Sequence, residues 1–526
     1  MLKYLIKRLL HGLFSIVVVI GIVMLLIYSL MDRQLIFAAD SVYQNLGNNQ
    51  KKQYMYRMWE NYGYIDYVTY EEYIASLVAS GELDSSELEK IQDLGKKAED
   101  DSETVAEYVK KFSEYYESKG YTIVRLDAIT IKKGRKYADG GQEALFAYRD
   151  KPLLTRLTGY FTGIVDIDSI HYVDDSIDIG KRGISFTLHD PAYGGEKFSP
   201  ALIGNGTKYK YLLYFDNSFP FIHQNLIKIS LGKSYTVNAG IDVFDTMTLS
   251  QGSYVSSEVT FPSGVVEASA DDLHTATYVK GSLASSSLNQ RLFVDDYTNV
   301  STVKNGLSKI GYSFVIGLIS SIIAYVLGVS FGIAMARHKD KAIDKIGTFY
   351  IVFAIAVPAL AYIFMVKAIG GSAGLPTTFD MESTSKLMYV LPIISLSIKS
   401  IADLMKWLRR YMIDQQNSDY VKFAKACGLT DNEIFRKHIF KNAVIPIIHG
   451  IPGTILAALV GAIITEKVYV VPGAGNLLIE AIAKYDNGVI VGVTLFYTAL
   501  GITSVILGDI LMAMFDPRIS FSDKAR

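Results

Sequence analysis

Six long apolar runs, spaced very unevenly, constrain this chain more than any other feature of its sequence. The first run is Gly12–Met31, preceded by Lys3, Lys7 and Arg8, and the other five follow a polar stretch of residues 33–303. An apolar run of about 20 residues is long enough for a helix to cross the hydrocarbon core of a bilayer. The pattern predicts a polytopic α-helical membrane protein with six transmembrane helices and a large domain between helices 1 and 2.

The first apolar run is too long for a cleaved signal peptide, whose apolar core has about 7–15 residues. We therefore interpret residues 1–32 as a cytosolic N-terminus followed by a retained transmembrane helix. The other predicted helices occupy approximately 310–336, 346–369, 387–405, 446–465 and 489–514. Pro358 lies inside the third of the six runs and is expected to break that helix.

The distribution of charge divides the chain into the same polar and apolar parts. Residues 33–308 carry nine more acidic than basic side chains, whereas the rest of the chain carries eight more basic than acidic ones. Basic loops are retained in the cytosol, so both termini are predicted to be cytosolic and residues 33–303 extracellular, at a plasma membrane. Helical periodicity over about 50–118 and short strand patterns after Gly120 predict an α+β domain. Cys427 is the single cysteine, so the chain has no intrachain disulfide.

A polar interruption, Asp419–Pro446, separates the fourth predicted transmembrane helix from the fifth. Its sequence, DYVKFAKACGLTDNEIFRKHIFKNAVIP, predicts a short helix that ends before Gly428 and a second helix after it. Thr430 and Glu433 have the spacing of a capping box, which marks the start of the second helix. A cytosolic location explains the many basic residues of this loop, but it does not explain the helix–glycine–helix arrangement.

This loop resembles the EAA loop of permeases from binding-protein-dependent ABC importers. Its Tyr-Val-x-x-Ala-x-Ala-x-Gly-Leu form is similar to the oligopeptide and dipeptide branch of that family. The sequence departs from the family where Lys422-Phe423-Ala424 replaces Glu-Ala-Ala and where Cys427 replaces a common lysine. The residues that carry the resemblance, and the predicted ATPase-coupling role, are Tyr420, Val421, Ala424, Ala426, Gly428, Leu429, Glu433, His438, Asn442 and Pro446.

The resemblance implies a type I ABC importer permease fold for residues 304–526, with the loop at 419–446 coupling the membrane helices to an ATPase. It implies an oligopeptide transport subunit rather than an enzyme. ATP and magnesium would be bound by two separate cytosolic ATPase subunits, and this chain would hold no cofactor or metal and bind no nucleic acid. The other implied partners are a paralogous permease subunit and a membrane-tethered oligopeptide-binding protein. The enlarged outer domain is similar to the AmiC-type subunits of Gram-positive oligopeptide importers.

A second element of the membrane half also resembles this family. Glu466, Pro472, Gly473 and Gly475 match the Glu-x-Val-Phe-x-x-Pro-Gly-x-Gly pattern found at the outer mouth of such permeases. The glycines would let the chain re-enter the bundle tightly. Two interpretations are open for this element, an outer gate shaped by Glu466 and an ordinary turn.

Lys399, Asp403 and Asp509 are ionisable residues within the predicted transmembrane helices, where charge is costly. Lys399 and Asp403 are four residues apart on one helical face, so we expect them to neutralise each other. A contact between this pair and the substrate is the alternative. Asp509, near the inner end of the sixth helix, is expected to accept hydrogen bonds from a neighbouring helix.

Three functions are alternatives to oligopeptide import: an ATPase within this chain, a membrane sensor and a permease for another cargo. The stretch Leu231–Ser234 resembles the end of a phosphate-binding loop, but Ile227 stands where that loop requires a glycine, and the chain contains no complete motif. A membrane sensor with an extracellular ligand-binding domain would account for the large domain but not for the Asp419–Pro446 loop. A permease for dipeptides or nickel remains open, because those systems share the loop pattern.

Overall fold

The computed structural model describes residues 2–95, 97–126, 130–133, 136–139, 144–168, 182–216, 221–383, 385–460 and 462–515. Helix α1, Leu2–Leu30, is continuous and includes the predicted first transmembrane segment. It emerges into a polar region that holds every described strand. The helices of that region are α2 Ser41–Gln44, α3 Asn48–Asn61, α4 Tyr70–Ala79, α5 Leu88–Gln92, α6 Glu103–Ser118, α7 Leu153–Thr162, α8 Val243–Thr248, α9 Ser282–Ser285 and α10 Ser287–Leu292.

The strands of the polar region form several small antiparallel sheets. A three-stranded sheet has the order β1-β5-β2, a four-stranded sheet has the order β10-β9-β8-β7, and the remaining strands pair as β11-β6, β12-β13, β14-β15 and β3-β4. The strand bounds are β1 Ile65–Thr69, β2 Thr122–Leu126, β3 Thr130–Lys133, β4 Lys136–Asp139, β5 Ala144–Asp150, β6 Val165–Ile167, β7 Gly183–Thr187, β8 Ala201–Asn205, β9 Tyr211–Phe215, β10 Ile222–Gln224, β11 Ile227–Ile229, β12 Ser257–Thr260, β13 Val266–Ser269, β14 Asp271–Tyr278 and β15 Tyr297–Thr302.

The predicted α+β character of this region is confirmed, with two corrections. Strand β1 lies inside the stretch predicted to be helical, because Ile65, Tyr67 and Thr69 alternate with less buried neighbours and are all buried in a strand that pairs with β5. Helix α7 lies inside the stretch predicted to be strands, because Leu153 and Leu157 have helical spacing and pack against α1. A short helix among strands was missed because its apolar face is only two turns long.

The membrane half contains α11 to α21. Their bounds are α11 Lys309–Arg337, α12 Ala342–Ala356, α13 Ala359–Ser372, α14 Val390–Gln416, α15 Asp419–Ala426, α16 Asp431–Ile434, α17 Lys441–Ala443, α18 Ile445–Val460, α19 Ile463–Tyr469, α20 Leu477–Ala483 and α21 Asn487–Phe515, with a π-helical turn at Phe435–Phe440. Helices α11, α14, α18 and α21 form the packed centre of this half, with α1 against α21. The basic tail after residue 515 lies outside the described residues.

Length and composition identify four described helices that could each cross a membrane, or up to six spans if each of two bent pairs counts as one. The predicted third transmembrane helix is one of these pairs. It breaks at Pro358 as expected, and α12 and α13 meet there at 108°. The predicted fourth helix ends eleven residues later than expected, at Gln416, because its basic cluster continues the helix instead of ending it.

A buried carboxylate is one of the contacts that join the polar region to the membrane half. Asp486, just before α21, is fully buried and accepts hydrogen bonds from the backbone N–H groups of Tyr235, Thr236 and Val237 at 2.8–2.9 Å. It also accepts a bond from the Ser234 hydroxyl at 2.7 Å. A buried carboxylate needs such donors to offset its lost hydration. Asp486 therefore fixes residues 234–237 to the start of α21.

Candidate functional site

The two-helix design of the Asp419–Pro446 loop is confirmed. Helix α15 ends at Ala426, and Gly428 follows with a φ of +82°, a left-handed conformation that glycine adopts without steric cost. Thr430 then caps α16: the Glu433 N–H donates to the Thr430 hydroxyl, and the Glu433 carboxylate accepts from the Thr430 N–H. These bonds satisfy donors that would otherwise be unpaired at the start of the helix.

A small polar cluster ties the two parts of the loop together. The Asn442 amide donates to the Tyr420 hydroxyl at 3.1 Å, and that hydroxyl donates to Gln415 at the end of α14. The rings of Tyr420 and His438 lie 6.3 Å apart. Pro446 occupies the first turn of α18, where the missing N–H costs no helical hydrogen bond. Tyr420, His438 and Asn442 thus hold the loop in shape.

The small residues Ala424 and Ala426 of α15 were expected to let the backbone of another protein approach closely, and only Ala426 is placed for that. Ala424 is only 6% exposed and packs with Val421 against the chain's own Leu408 and Ile434. Ala424 is therefore an internal contact rather than an open place for another protein. Ala426, by contrast, is exposed.

The outward face of α15 presents one large apolar side chain that was not singled out from the sequence. Phe423 is 72% exposed, and Lys422, Lys425 and Ala426 beside it are exposed as well. An exposed aromatic residue surrounded by charged residues has the composition of an anchor for a protein partner. We call Lys422, Phe423, Lys425 and Ala426 the loop face. The signal in the sequence was an apolar residue at a position where the family pattern has alanine.

Glu466 is a buried carboxylate that organises the second predicted element. It is 2% exposed and accepts hydrogen bonds from the Ser313 hydroxyl at 2.7 Å, the Ala462 N–H at 3.0 Å and the Gly475 N–H at 2.9 Å. The Ser313 hydroxyl in turn accepts from the Ala474 N–H at 2.8 Å. Glu466 thereby joins α11, α19 and the turn before α20.

The two glycines of this element are required by contact with that carboxylate. A Cβ on Gly473 would lie 2.4 Å from a carboxylate oxygen of Glu466, and one on Gly475 would lie 2.9 Å from the same oxygen. Pro472, half-buried, precedes them. Val470, just before this turn, has a φ of +58°, which is strained for a β-branched residue. This element is a built turn around a buried charge rather than an open loop.

The predicted charges of the membrane helices have different outcomes. Lys399 is exposed, and among the described residues it forms no ion pair with Asp403, so the expected pair is wrong. Asp509 does accept bonds between helices: it pairs with Arg8 of α1 at 2.8 Å and lies 3.5 Å from His449 of α18.

One ion pair of the inner end was missed. Arg409 donates two hydrogen bonds to Asp344, at 2.5 and 2.7 Å, and so fastens α14 to the start of α12. Asp344 is 3% exposed. Bidentate geometry makes such a pair strong and directional. Arg409 had been counted only as part of a basic cluster, because sequence spacing does not connect it with a residue 65 positions earlier.

A small cavity lies directly beneath the Glu466 element. It has a volume of about 220 Å³ and lies between α11, α14, α18 and α19. Much of its wall consists of hydroxyl and small side chains rather than bulky apolar ones. The hydroxyl-bearing residues that line it are Ser313, Ser320, Ser321, Ser400, Thr454 and Thr465. Such a wall offers hydrogen-bond partners, and Glu466 is the one acidic residue among the described residues that line it.

The polar region has a larger groove of its own, of about 880 Å³. Tyr214 lies at its base between His223 and His274, with ring centroids 5.2 and 4.2 Å away. Burial by itself lowers the pKa of His274, but hydrogen bonds to Asp190 and Asp272 outweigh it and raise that pKa to about 9. His274 is thus a cation at neutral pH, held by two carboxylates of its own domain.

Comparison with known proteins identifies the family. Residues 328–521 match the family described as "Binding-protein-dependent transport system inner membrane component". The chain is 34% identical to the oligopeptide transport system permease protein AmiC of Streptococcus pneumoniae, across 100% of this chain and 99% of that protein. The chain belongs to the ABC importer permease family.

Other relatives cover only part of this permease. The dipeptide transport system permease protein DppB of Lactococcus lactis subsp. cremoris is 30% identical across 42% of this chain and 73% of its own length. A solved inward-facing methionine ABC transporter is 12% identical across 40% of this chain and 94% of its own, with a TM-score of 0.32, too low to support an argument. Of these three proteins, only AmiC has an alignment that extends through residues 33–303 of this chain.

Family membership establishes the class of protein. The chain is the membrane component of an ABC importer, a transport subunit rather than an enzyme. Transporters of this family depend on a binding protein and an ATPase, so this permease works as part of a complex.

Proposed function

We propose that this permease imports oligopeptides and forms one half of their path across the plasma membrane of a Gram-positive bacterium. The observation that carries the cargo assignment is the full-length similarity to an oligopeptide permease, including residues 33–303. The path would use the hydroxyl-lined cavity below Glu466, because peptide backbones offer hydrogen bonds at every residue and no fixed charge.

The proposed topology has six spans with both termini in the cytosol. Residues 1–32 contain the first span, residues 33–303 form the extracellular α+β domain, and residues 304–526 form the permease core. In this arrangement the bent pair α12–α13 is one span, and α18 with its flanking helices is another. The loop at 419–446 then faces the cytosol, together with the Arg8–Asp509 pair.

The proposed complex contains one paralogous permease, two cytosolic ATPases and a membrane-tethered oligopeptide-binding protein. The loop face would enter a cleft of one ATPase, with Phe423 as its apolar anchor and Lys422 and Lys425 as its charged rim. ATP and magnesium would be held by the ATPases alone. The turn around Glu466 would act as an outer gate, because its strained Val470 and buried carboxylate hold a defined closed geometry.

The extracellular domain is proposed to receive the loaded binding protein. Its net negative charge would make such docking weak and sensitive to salt, because exposed charges are screened over about 8 Å at physiological ionic strength. Docking there would reach the membrane helices through Asp486, which bonds residues 234–237 to the end of α21.

Uptake by reconstituted complex tests the cargo. Proteoliposomes that contain the complete complex, loaded with ATP, are expected to accumulate a labelled oligopeptide, and the same preparation without this chain is expected to accumulate none. Labelled dipeptide and nickel, offered separately, are the competing cargoes. If either is taken up and the oligopeptide is not, the cargo assignment is wrong while the permease assignment stands.

A further inference from the structure

A cavity of about 440 Å³ lies where the outer region meets the membrane helices. It is bounded by the outer end of α1, by α7, by residues 231–235 and by the first turns of α21. Met24, Leu231 and Val491 line its deeper part, whereas Tyr62 and Lys151 lie toward the polar region. The cavity is therefore apolar on the membrane side and polar on the other.

The charged residues that line this cavity are basic, whereas the polar region around it has a net negative charge. Three basic residues, Lys151, Arg156 and Lys233, are among the described residues that line it, and no acidic residue is. Lys151 is paired with Asp66 at 3.3 Å. Within the described part of the chain, no carboxylate lies within ion-pair distance of Arg156 or Lys233.

Arg156 is held in place by aromatic rings instead of by an acid. Its guanidinium carbon lies 3.5 Å from the ring centroid of Tyr28 and 3.9 Å from that of Tyr64. Cation–π contacts orient the guanidinium but leave its charge uncompensated. A half-buried cation fixed in this way is ready to bind an anion.

Helix α7 packs beside the part of α1 that would lie within the membrane. Leu157 is 4.0 Å from the position of a Cβ on Gly21, which is eight residues inside the outer end of the span Ile6–Ser29. The hydroxyls of Thr158 and Thr162 face outward, yet they donate to carbonyl oxygens of their own helix. Such bonds satisfy the threonine hydroxyls without water.

The two-stranded sheet formed by β6, which follows α7, and β11 exposes aliphatic side chains instead of burying them. Strands β6 and β11 pair Val165 with Ile229 and Ile167 with Ile227, and all four aliphatic side chains are exposed. The intervening Asp166 instead forms an ion pair with Lys208 of the domain. An aliphatic face turned outward, continuous with a membrane-embedded helix, is suited to contact with lipid chains.

We propose that this cavity binds the headgroup of an anionic phospholipid from the outer leaflet. The phosphate would lie between Arg156 and Lys233, with an acyl chain along Met24, Leu231 and Val491. Basic residues near a membrane surface favour anionic lipids, and tyrosines are enriched at that depth. The inference rests on α1 and α21 crossing the membrane and on the proposed outward topology, not on the cargo.

Native mass spectrometry of the purified complex tests the proposal. The complex is exchanged into detergent with either phosphatidylglycerol or phosphatidylcholine, and bound lipid is counted per complex. Lys233→Gln and Arg156→Gln are each expected to lower phosphatidylglycerol affinity about fivefold, with phosphatidylcholine unchanged. Lys280→Gln, an exposed lysine of the same domain away from the cavity, is the matched control and should have no effect.

Because Lys233 is exposed, its variant remains informative even if the Arg156 variant misfolds. Equal phosphatidylglycerol retention by wild type and Lys233→Gln would overturn the proposal. Equal losses in Lys233→Gln and Lys280→Gln would also overturn it, since they would indicate a general charge effect. Lysine-dependent retention of inorganic phosphate in lipid-free detergent would instead make this a site for free anions. None of these outcomes depends on peptide uptake.

Discussion

At the scale of single residues, the chain uses buried carboxylates to join segments far apart in sequence. Glu466 links α11, α19 and the following turn, and Asp486 links α21 to the outer region. The family pattern predicted Glu466 and its glycines as one element. It did not predict the partner Ser313, 153 residues earlier, because no local spacing connects them.

Gly473→Ala tests whether Glu466 organises its turn. We expect this substitution to lower stability by about 1–3 kcal/mol, since the new methyl group would overlap the carboxylate. In a Glu466→Ala background the same substitution should lower the stability clearly less. Unfolding of the purified protein in detergent measures all four variants of this cycle. Gly450→Ala, which adds a methyl group where no atom lies within 4 Å, is the control and should not destabilise.

If Gly473→Ala lowers the stability equally with and without the Glu466 carboxylate, the close contact with that carboxylate is not the reason for a glycine at this position. A loss of stability in Gly450→Ala of similar size would show that any added methyl group in this half is harmful. Either result would remove the argument that the turn is built around the buried charge.

At the scale of elements, the sequence predicted which segments exist better than it predicted the faces they present. Capping residues are local, so the start of α16 at Thr430 was predictable. The burial of Ala424 was not, because α15 is short and its orientation depends on Leu408 and Ile434 in neighbouring elements. The same limit hid α7, whose apolar face is explained only by its contact with α1.

Asp486→Asn tests the connection between the outer region and α21. We expect a local loss of about 1.5–3 kcal/mol, because an amide replaces an acceptor of charge-assisted hydrogen bonds. Hydrogen exchange should become faster at residues 235–237 of the intact protein, whose N–H groups bond to this carboxylate. Asp380→Asn, an exposed aspartate, is the control. Unchanged exchange at residues 235–237 would mean that Asp486 does not hold this segment.

At the scale of the whole molecule, the distribution of apolar runs and of charge predicted a membrane half and a large polar α+β region. Such reasoning could not predict the angle between α12 and α13. A proline removes a hydrogen bond and so predicts a break, but the 108° bend depends on what the two helices pack against. Long-range ion pairs such as Arg409–Asp344 were hidden for the same reason.

The central claim at this scale is that the loop face transmits ATP hydrolysis to the membrane helices. Phe423 is its most exposed apolar group, and removal of a central anchor in an interface costs about 2 kcal/mol or more. Phe198, 73% exposed on the outer region, provides a matched substitution at the opposite end of the molecule.

The most direct measurement is ATP hydrolysis by the complete complex in proteoliposomes, with and without loaded binding protein, for Phe423→Ala and Phe198→Ala. We predict that Phe423→Ala lowers stimulated hydrolysis at least tenfold, together with ATPase retention during purification, while Phe198→Ala retains wild-type ATPase binding. Wild-type stimulation and ATPase retention in Phe423→Ala would contradict the account, because the loop face would then not be the surface that couples this permease to its ATPase.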